Sequence, residues 1–231
     1  MDDFDHASLG AIMAELARSW TAPTDVDHTL HAVTQAAVDL IPGADSADIL
    51  TISGRHKFQS LAPTSALPSD LDAVQARHGR GPCVEAAVDG EVVRSDDLES
   101  ETRWPEFSRE AVRSGVRSVA SFRLYTHTHV VGALNVLAMT AHAFDDESIA
   151  IGEVLAAHAA IAIIADRREL QLRSALVSRD LIGQAKGMLM ERFGVGADQA
   201  FKMLVTLSQQ SNHPLGEVAK RVVDLGPDRR H

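Results

Sequence analysis

The sequence has very little cysteine and no long apolar run, and each absence excludes a class of protein. Its single cysteine, Cys83, cannot form an intrachain disulfide and supplies too few sulfurs for a cysteine-built zinc site. No uninterrupted apolar run reaches the roughly 18 residues that a membrane span needs, and the N-terminal residues lack the basic and apolar regions of a secretory signal. We therefore expect a cytoplasmic protein without a disulfide framework or a membrane segment.

Recognisable catalytic and metal-binding motifs are also missing. The sequence contains no GxSxG nucleophile elbow, no P-loop and no HExxH zinc motif, although it has 11 histidines. It therefore predicts no enzyme activity, no catalytic residue and no metal site.

Positive charge is scarce overall, but it is distributed unevenly. The net charge is −10, which by itself argues against a nucleic-acid partner. Residues 170–231 nevertheless carry nine Lys and Arg against six Asp and Glu, a balance of +3, whereas residues 1–169 carry 13 against 26, a balance of −13. Only the second region can approach a phosphate backbone without repulsion.

The order of the predicted elements indicates an α+β fold. A helix is predicted within residues 1–24, and a second helix, capped at Asp25 or Asp27, is predicted to run through Leu40. Two pairs of hairpin-linked strands follow, with helices between the pairs. The paired strands are predicted at residues 47–52 with 58–61 and at residues 116–124 with 130–139, and a further short strand is predicted at residues 91–94. Because hairpin-linked strands pair antiparallel, we expect an antiparallel sheet flanked by helices.

A long helix is predicted after the sheet. Acidic residues at 145–147 favour a helix start, and no breaker stronger than a single glycine follows until Gly194. A helix of about 45 residues would be about 68 Å long, so a kink or register break is expected along it. Several of its apolar residues recur near heptad spacing and have nothing in their own chain to cover them, namely Ile161, Ile164, Leu172 and Leu176. This pattern predicts a parallel homodimer through residues 146–190.

The tail adds two shorter helices, predicted at residues 197–210 and from Pro214 onward. With the end of the long helix they form a three-helix bundle, whose predicted core includes Phe193 and Phe201. Arg179 and Lys186 lie within about 20° of each other on the long helix, at the margin of its apolar face. Two interpretations stay open: their stems cover apolar surface, or the two cations form an exposed basic strip that meets a phosphate track.

Several different short motifs lie within residues 178–223. They are Ala185-Lys186-Gly187 with Leu189-Met190, Ala200-Phe201 with Leu204, Ser208, and Val218-Ala219. With these motifs the segment resembles the ANTAR domain of bacterial transcription antitermination regulators. The resemblance implies that a dimer binds tandem RNA hairpins in nascent leader transcripts and thereby competes with a terminator. The RNA-binding residues implied are Arg179, Lys186, Gly187, Arg192 and Ser208. The small residues Ala185 and Gly187 would let the backbone approach RNA, or would let helices pack closely.

The front region carries motifs of its own. They are GRGPC at 79–83, Trp104-Pro105 with Phe107, Gly115-Val116-Arg117-Ser118 and Gly132-Ala133-Leu134-Asn135. With them the region resembles the GAF sensor domains that are fused to ANTAR domains in regulators of actinobacterial type. The resemblance implies a sensor domain able to bind a small molecule but does not identify the ligand, because this fold hosts many unrelated ligands or none.

Cys83 has two interpretations of its own. If Pro82 opens a helix, the thiol lies in the first turn, where the helix dipole favours the thiolate and a redox sensor becomes a candidate role. The alternative is a small buried cysteine that only fills the core.

The predicted organisation is an N-terminal helix at 1–24, a GAF sensor domain at 25–165 and an ANTAR domain at 166–231. The expected function is a signal-responsive transcription antitermination regulator. One alternative is a DNA-binding regulator, although no tail helix shows the row of Arg, Asn and Gln that a major-groove reader needs. The other is a sensor or dimerisation protein whose tail docks on another protein.

Overall fold

The computed structural model describes residues 26–53, 57–88, 92–125 and 130–226. The helix predicted within residues 1–24 lies outside the described residues. The chain divides into two compact units after Asp166.

The first unit is built on an antiparallel sheet. Its described strands are β1 (Ser46–Ser53), β2 (Lys57–Leu61), β3 (Val92–Ser95), β4 (Ser118–Tyr125) and β5 (Val130–Ala138). Their order is β2-β1-β5-β4-β3, and every neighbouring pair is antiparallel. The predicted α+β class and the antiparallel sheet are therefore confirmed.

Helices cover both faces of this sheet. They are α1 (Val26–Leu40), α2 (Ala66–His78), α3 (Pro82–Val88), α4 (Pro105–Arg113) and the first part of α5 (Asp146–Phe193). Because successive strand residues point to opposite faces, Leu134 and Val136 pack in one core with α1 and α5. Ala133 and Leu137 pack in a second core, which α2, α3 and α4 complete.

The first part of α5 is apolar because it belongs to the core. By length and composition alone, α5 contains a segment of mean hydropathy 2.0 that could cross a membrane, although half of that segment is buried inside the protein. No membrane segment is expected from uninterrupted apolar runs alone, because isolated polar residues interrupt this segment. A core helix passes the same test, and Leu155, Ala156 and Ala159 are indeed buried against the sheet.

The second unit contains the end of α5 together with α6 (Ala197–Ser211) and α7 (Leu215–Asp224). Helix α5 is continuous over 48 residues. The buried core of this unit consists of Ala185, Leu189, Ala200, Leu204, Val218 and Ala219.

Two aromatic residues that were predicted to lie in this core are exposed instead. Phe193 is 55% exposed and Phe201 is 43% exposed. Phe193 is the last residue of α5, beside the left-handed turn at Gly194, which has a φ of 63°. Phe201 follows the buried Ala200 and is therefore turned about 100° away from it around α6.

Candidate nucleic-acid interface and sensor pocket

Arg179 and Lys186 lie on the same side of α5 in the second unit. Arg179 is exposed and Lys186 is half-buried. Neither side chain has a hydrogen bond or ion pair with any residue that the structure describes. Lys186 is one turn from Ile182 and one turn from Met190, both partly buried at the edge of the core. Its stem therefore lies against apolar surface, and its ammonium group has no partner from the described chain to neutralise it.

Bare helix backbone adjoins these two cations. Gly183 and Gly187 are exposed, and a Cβ atom on either would meet nothing within 4 Å. On the helical wheel they lie about 40° and about 80° from Arg179. Ala185, by contrast, is fully buried in the three-helix core. Of the two small residues singled out from the sequence, Ala185 thus serves helix packing and Gly187 leaves the backbone open. Gly183 was missed, although its spacing of four from Gly187 already placed both on one side.

The other two candidate residues have different surroundings. Arg192 is exposed near the end of α5, with its guanidinium carbon 6.0 Å from the centroid of the Phe193 ring. It lies about 140° around the helix from Arg179. Ser208 donates a hydrogen bond from Oγ to the His213 carbonyl at 2.6 Å, and its own carbonyl accepts the Asn212 N–H where α6 ends. Ser208 therefore closes the turn between α6 and α7, and its role toward RNA stays a prediction.

A second candidate site lies inside the first unit, between the sheet and α2. Asn135 Nδ2 on β5 donates to Asp48 Oδ1 at 3.1 Å and to Asp72 Oδ1 at 3.5 Å. Ser121 donates to Asn135 Oδ1 at 2.7 Å, and Ser60 donates to Asp48 Oδ2 at 3.0 Å. These residues and Gln75, which donates a hydrogen bond to Asp72, form a polar network. Its members are Asp48, Ser60, Asp72, Gln75, Ser121 and Asn135.

The GRGPC motif holds Gln75 in the polar network. Gln75 Nε2 donates to Asp72 Oδ1 at 3.2 Å, and its Oε1 accepts the Cys83 N–H at 3.0 Å. Gly79, with a φ of 64°, ends α2 in the left-handed conformation that favours glycine. A Cβ atom on Gly81 would overlap the side-chain amide of Gln75. The two glycines therefore turn the chain and leave room for the amide that links α2 to α3.

Burial controls the protonation of the two carboxyl groups in this network. It raises the pKa of Asp72 to about 10, and the negative charge of nearby Asp48 raises it further in the same direction. Burial also raises the pKa of Asp48, against hydrogen bonds from Asp72, Asn135 and Ser60 that lower it. At neutral pH the Asp48–Asp72 pair therefore retains a proton. No pattern in the sequence marks these two residues as a pair, because the fold brings them together from β1 and α2.

Cys83 is fully buried beside this network. Pro82 opens α3, as the first interpretation of Cys83 required. Burial nevertheless raises the pKa of the thiol well above its usual value, and Asp72 and Asp48 raise it further. This direction is opposite to the one that the helix dipole would give. The structure thus places Cys83 in the core as a thiol, and the sensor role stays a prediction.

Two cavities adjoin α2 and α3. A small one of about 10 Å³ is bordered by Asp48, Asp72, Gln75 and Asn135 together with apolar side chains. An open cleft of about 300 Å³ lies beside Gly79, Arg103 and Trp104. In this cleft the Arg103 guanidinium lies 4.2 Å from the centroid of the Trp104 ring and 3.2 Å from Glu85. Trp104 Nε1 donates to Glu85 at 2.9 Å, so Glu85 contacts both Arg103 and Trp104 in this cleft.

Two family models match the chain. The model of the GAF domain matches residues 23–164, which is more than half of the chain. The model of the ANTAR domain matches residues 170–223. No curated protein matches the chain.

Several solved structures share the fold of the first unit. The GAF domain of a phosphoenolpyruvate-protein phosphotransferase from Acinetobacter is 15% identical, with a TM-score of 0.58 over 73% of this chain and 97% of that one. The corresponding domain from Coxiella burnetii is 18% identical, with a TM-score of 0.56 over 71% and 98%. A free methionine-R-sulfoxide reductase from Neisseria meningitidis is 18% identical, with a TM-score of 0.50 over 70% and 89%. At such identities the likeness concerns the fold alone.

Proposed function

The chain belongs to the GAF domain family and carries an ANTAR domain after it, and we propose that it is a transcription antitermination regulator that binds RNA hairpins. Both matched domains are regulatory, and the combination of a sensor domain with a domain of an RNA-binding family makes the chain a signal-responsive regulator. The finer proposal is that the ANTAR segment binds hairpins in nascent leader transcripts and that the GAF domain adjusts this binding.

The side of α5 that carries Arg179 and Lys186 supports RNA as the partner. Two cations that are not paired within the described residues flank the bare backbone at Gly183 and Gly187. Cations attract the phosphates, and a helix surface without side chains lets a nucleic-acid strand approach closely. The proposal of RNA as the partner therefore rests on two cations, unpaired within the described chain, beside exposed glycine backbone on one side of α5.

The direct test compares two nucleic acids of equal charge. The full chain is titrated by fluorescence anisotropy against a labelled two-hairpin RNA and against a labelled duplex DNA, over a range of salt concentrations. We expect tight binding of the RNA and weak binding of the DNA. Arg179→Ala and Lys186→Ala should each weaken RNA binding and reduce the salt slope by roughly 0.7 to 0.9. Arg173→Ala is the matched control, because Arg173 lies on the same helix but is paired with Glu169.

A glycine variant separates binding from stability. Gly187→Ala adds a methyl group in open space and should stabilise the helix by roughly 0.5 to 1 kcal/mol. If RNA approaches the bare backbone, the same change should weaken RNA binding although the protein melts at a higher temperature. Unchanged affinity in Gly187→Ala, Arg179→Ala and Lys186→Ala would exclude this side of α5 as the RNA interface.

The same titration decides between the alternatives. Preference for the duplex would favour a DNA-binding regulator. Binding of neither nucleic acid would favour a sensor or dimerisation protein whose tail docks on another protein.

The proposal also includes a homodimer and a cytoplasmic location. Apolar side chains of α5 that are more than half exposed support pairing through residues 146–190; they are Leu170, Leu172, Leu176 and Val177. Paired tails would present two RNA sites to a tandem hairpin. The cytoplasm is proposed because nascent bacterial transcripts are made there.

A further inference from the structure

The Asp48–Asp72 pair is buried without a cationic partner from the described residues. Asp48 is 1% exposed and Asp72 is 4% exposed. Among the described residues, the two carboxyls interact with each other and otherwise accept hydrogen bonds only from the neutral side chains of Ser60, Gln75 and Asn135. Burying a carboxylate is strongly unfavourable unless a positive charge accompanies it. The proton that the pair retains is thus the only positive charge found beside it in the described part of the chain.

One oxygen of the pair lacks a hydrogen-bond donor. Asp72 Oδ2 is buried and has no hydrogen-bond partner among the described residues. The same carboxyl borders the cavity of about 10 Å³, which has room for one group of the size of a water molecule. Phe107, Val119 and Leu137 form apolar parts of its wall. The cavity therefore offers acceptors and negative charge to a compact donor.

We propose that this cavity binds the head of an ammonium-type ligand, either a free ammonium ion or the terminus of a small primary amine. The inference rests on the proposed function of the first unit as the sensor, and it names the class of its ligand. An ammonium group is close to water in size, carries only N–H donors and brings the missing positive charge. When it binds, the shared proton of the pair leaves to solvent, so one positive charge replaces another.

Other ligand classes fit this cavity poorly. An anion would meet two carboxyl groups. Among the described residues no group of three or more His, Cys, Asp and Glu is placed to hold a metal ion, whereas hard divalent cations take six or more oxygen ligands. A ring-sized ligand exceeds the volume of the cavity.

A ligand in the cavity would change the hydrogen bonds that connect α2 to the sheet and to α3. Asp72 and Gln75 belong to α2, Asp48 and Asn135 belong to the sheet, and Gln75 holds the start of α3 through the Cys83 N–H. Replacing the shared proton by a larger cation alters the hydrogen bonds between α2 and the sheet. A ligand that favours one arrangement of these bonds shifts the equilibrium between them, which is what a sensor domain requires.

Isothermal titration of the full chain at about pH 7 tests the proposal. Ammonium chloride and methylammonium chloride are titrated separately, at an ionic strength held constant with tetramethylammonium chloride, whose cation is too large for the cavity. We expect saturable binding with release of nearly one proton per cation, measured from the dependence of the heat on the buffer. Saturation by ammonium alone identifies the free ion, and saturation by both identifies the amine head group.

Variants locate the site. Asp48→Asn and Asp72→Asn should lose the saturable binding, whereas Asp70→Asn, exposed on the same helix, should keep it. In the wild type the side-chain amide resonances of Asn135 should shift during the titration, which needs no variant. The proposal is overturned if neither cation saturates the wild type, if potassium binds as well as ammonium, or if both pair variants bind undiminished. None of these readouts involves RNA, so the absence of ammonium binding would leave the RNA-binding proposal intact. A chain that binds ammonium but not RNA would contradict only the RNA-binding proposal.

Discussion

The carboxyl of Asp72 should make stability depend on pH in the opposite sense to an ordinary paired carboxylate. Burial and Asp48 raise its pKa to about 10 in the folded protein, against about 3.9 in an unfolded chain. The folded state therefore binds a proton that the unfolded state releases. Its contribution to stability is complete below about pH 4 and is lost as the pH rises toward 10. We expect Asp72→Asn, which has no proton to lose, to gain stability relative to the wild type with rising pH, by at most about 1.4 kcal/mol per pH unit.

Urea unfolding at several pH values measures this difference. Asp70→Asn is the control, because Asp70 lies on the same helix as Asp72 but its side chain is exposed. Parallel curves for Asp72→Asn and the wild type would contradict a proton held by the pair.

Cys83 should be unreactive in the native protein. Its side chain is fully buried, and burial together with Asp72 and Asp48 raises the pKa of the thiol. Because the thiolate is the reactive form, iodoacetamide at about pH 7 should label Cys83 only after denaturation. Mass spectrometry of the intact protein measures the labelling. Rapid labelling of the native chain, together with a peroxide response that Cys83→Ser abolishes, would instead establish the sensor-thiol role.

At the scale of elements, helix α5 contains two glycines that predict opposite effects of alanine. A Cβ atom on Gly152 would overlap the ring of Phe122, which is almost fully buried in the core. Gly152→Ala should therefore destabilise the first unit by roughly 1 to 3 kcal/mol or more. Gly183 has nothing within 4 Å of such an atom, so Gly183→Ala should raise stability by roughly 0.5 to 1 kcal/mol. Denaturant unfolding of both variants measures the contrast, and a stable Gly152→Ala would show that α5 does not pack closely on β4.

The elements could be predicted from the sequence where their signals are local. The hairpin-linked strands predicted at residues 47–52 and 58–61 lie within a few residues of the observed bounds of β1 and β2. The Asp48–Asp72 contact has no such signal, because its residues lie 24 positions apart and meet only when α2 covers the sheet. The exposure of Phe193 could not be predicted either, since helical periodicity does not show that the bundle core ends before the last residue of α5.

At the scale of the whole molecule, α5 carries apolar side chains that a partner would cover. Leu172 is 67% exposed and Leu176 is 62% exposed, and both lie on the segment predicted to pair in parallel with a second copy. Transferring such side chains from water into a helix–helix seam favours association, since burial contributes about 25 cal/mol per Å² of apolar surface. Light scattering at tens of micromolar should therefore show a dimer for the wild type.

Removing the apolar contact between two paired copies of α5 should weaken both dimerisation and the binding of tandem hairpins. Because both leucines are exposed, Leu172→Gln with Leu176→Gln should leave each protomer folded while removing the apolar contact. Leu225→Gln is the matched control, since Leu225 is 82% exposed but lies outside α5. We expect the double variant to be monomeric, to bind a single hairpin as the wild type does, and to bind two-hairpin RNA at least about tenfold more weakly, because linked sites act at a high effective concentration. A wild type that is monomeric and still prefers two hairpins to one would show that the pairing of sites does not come from α5.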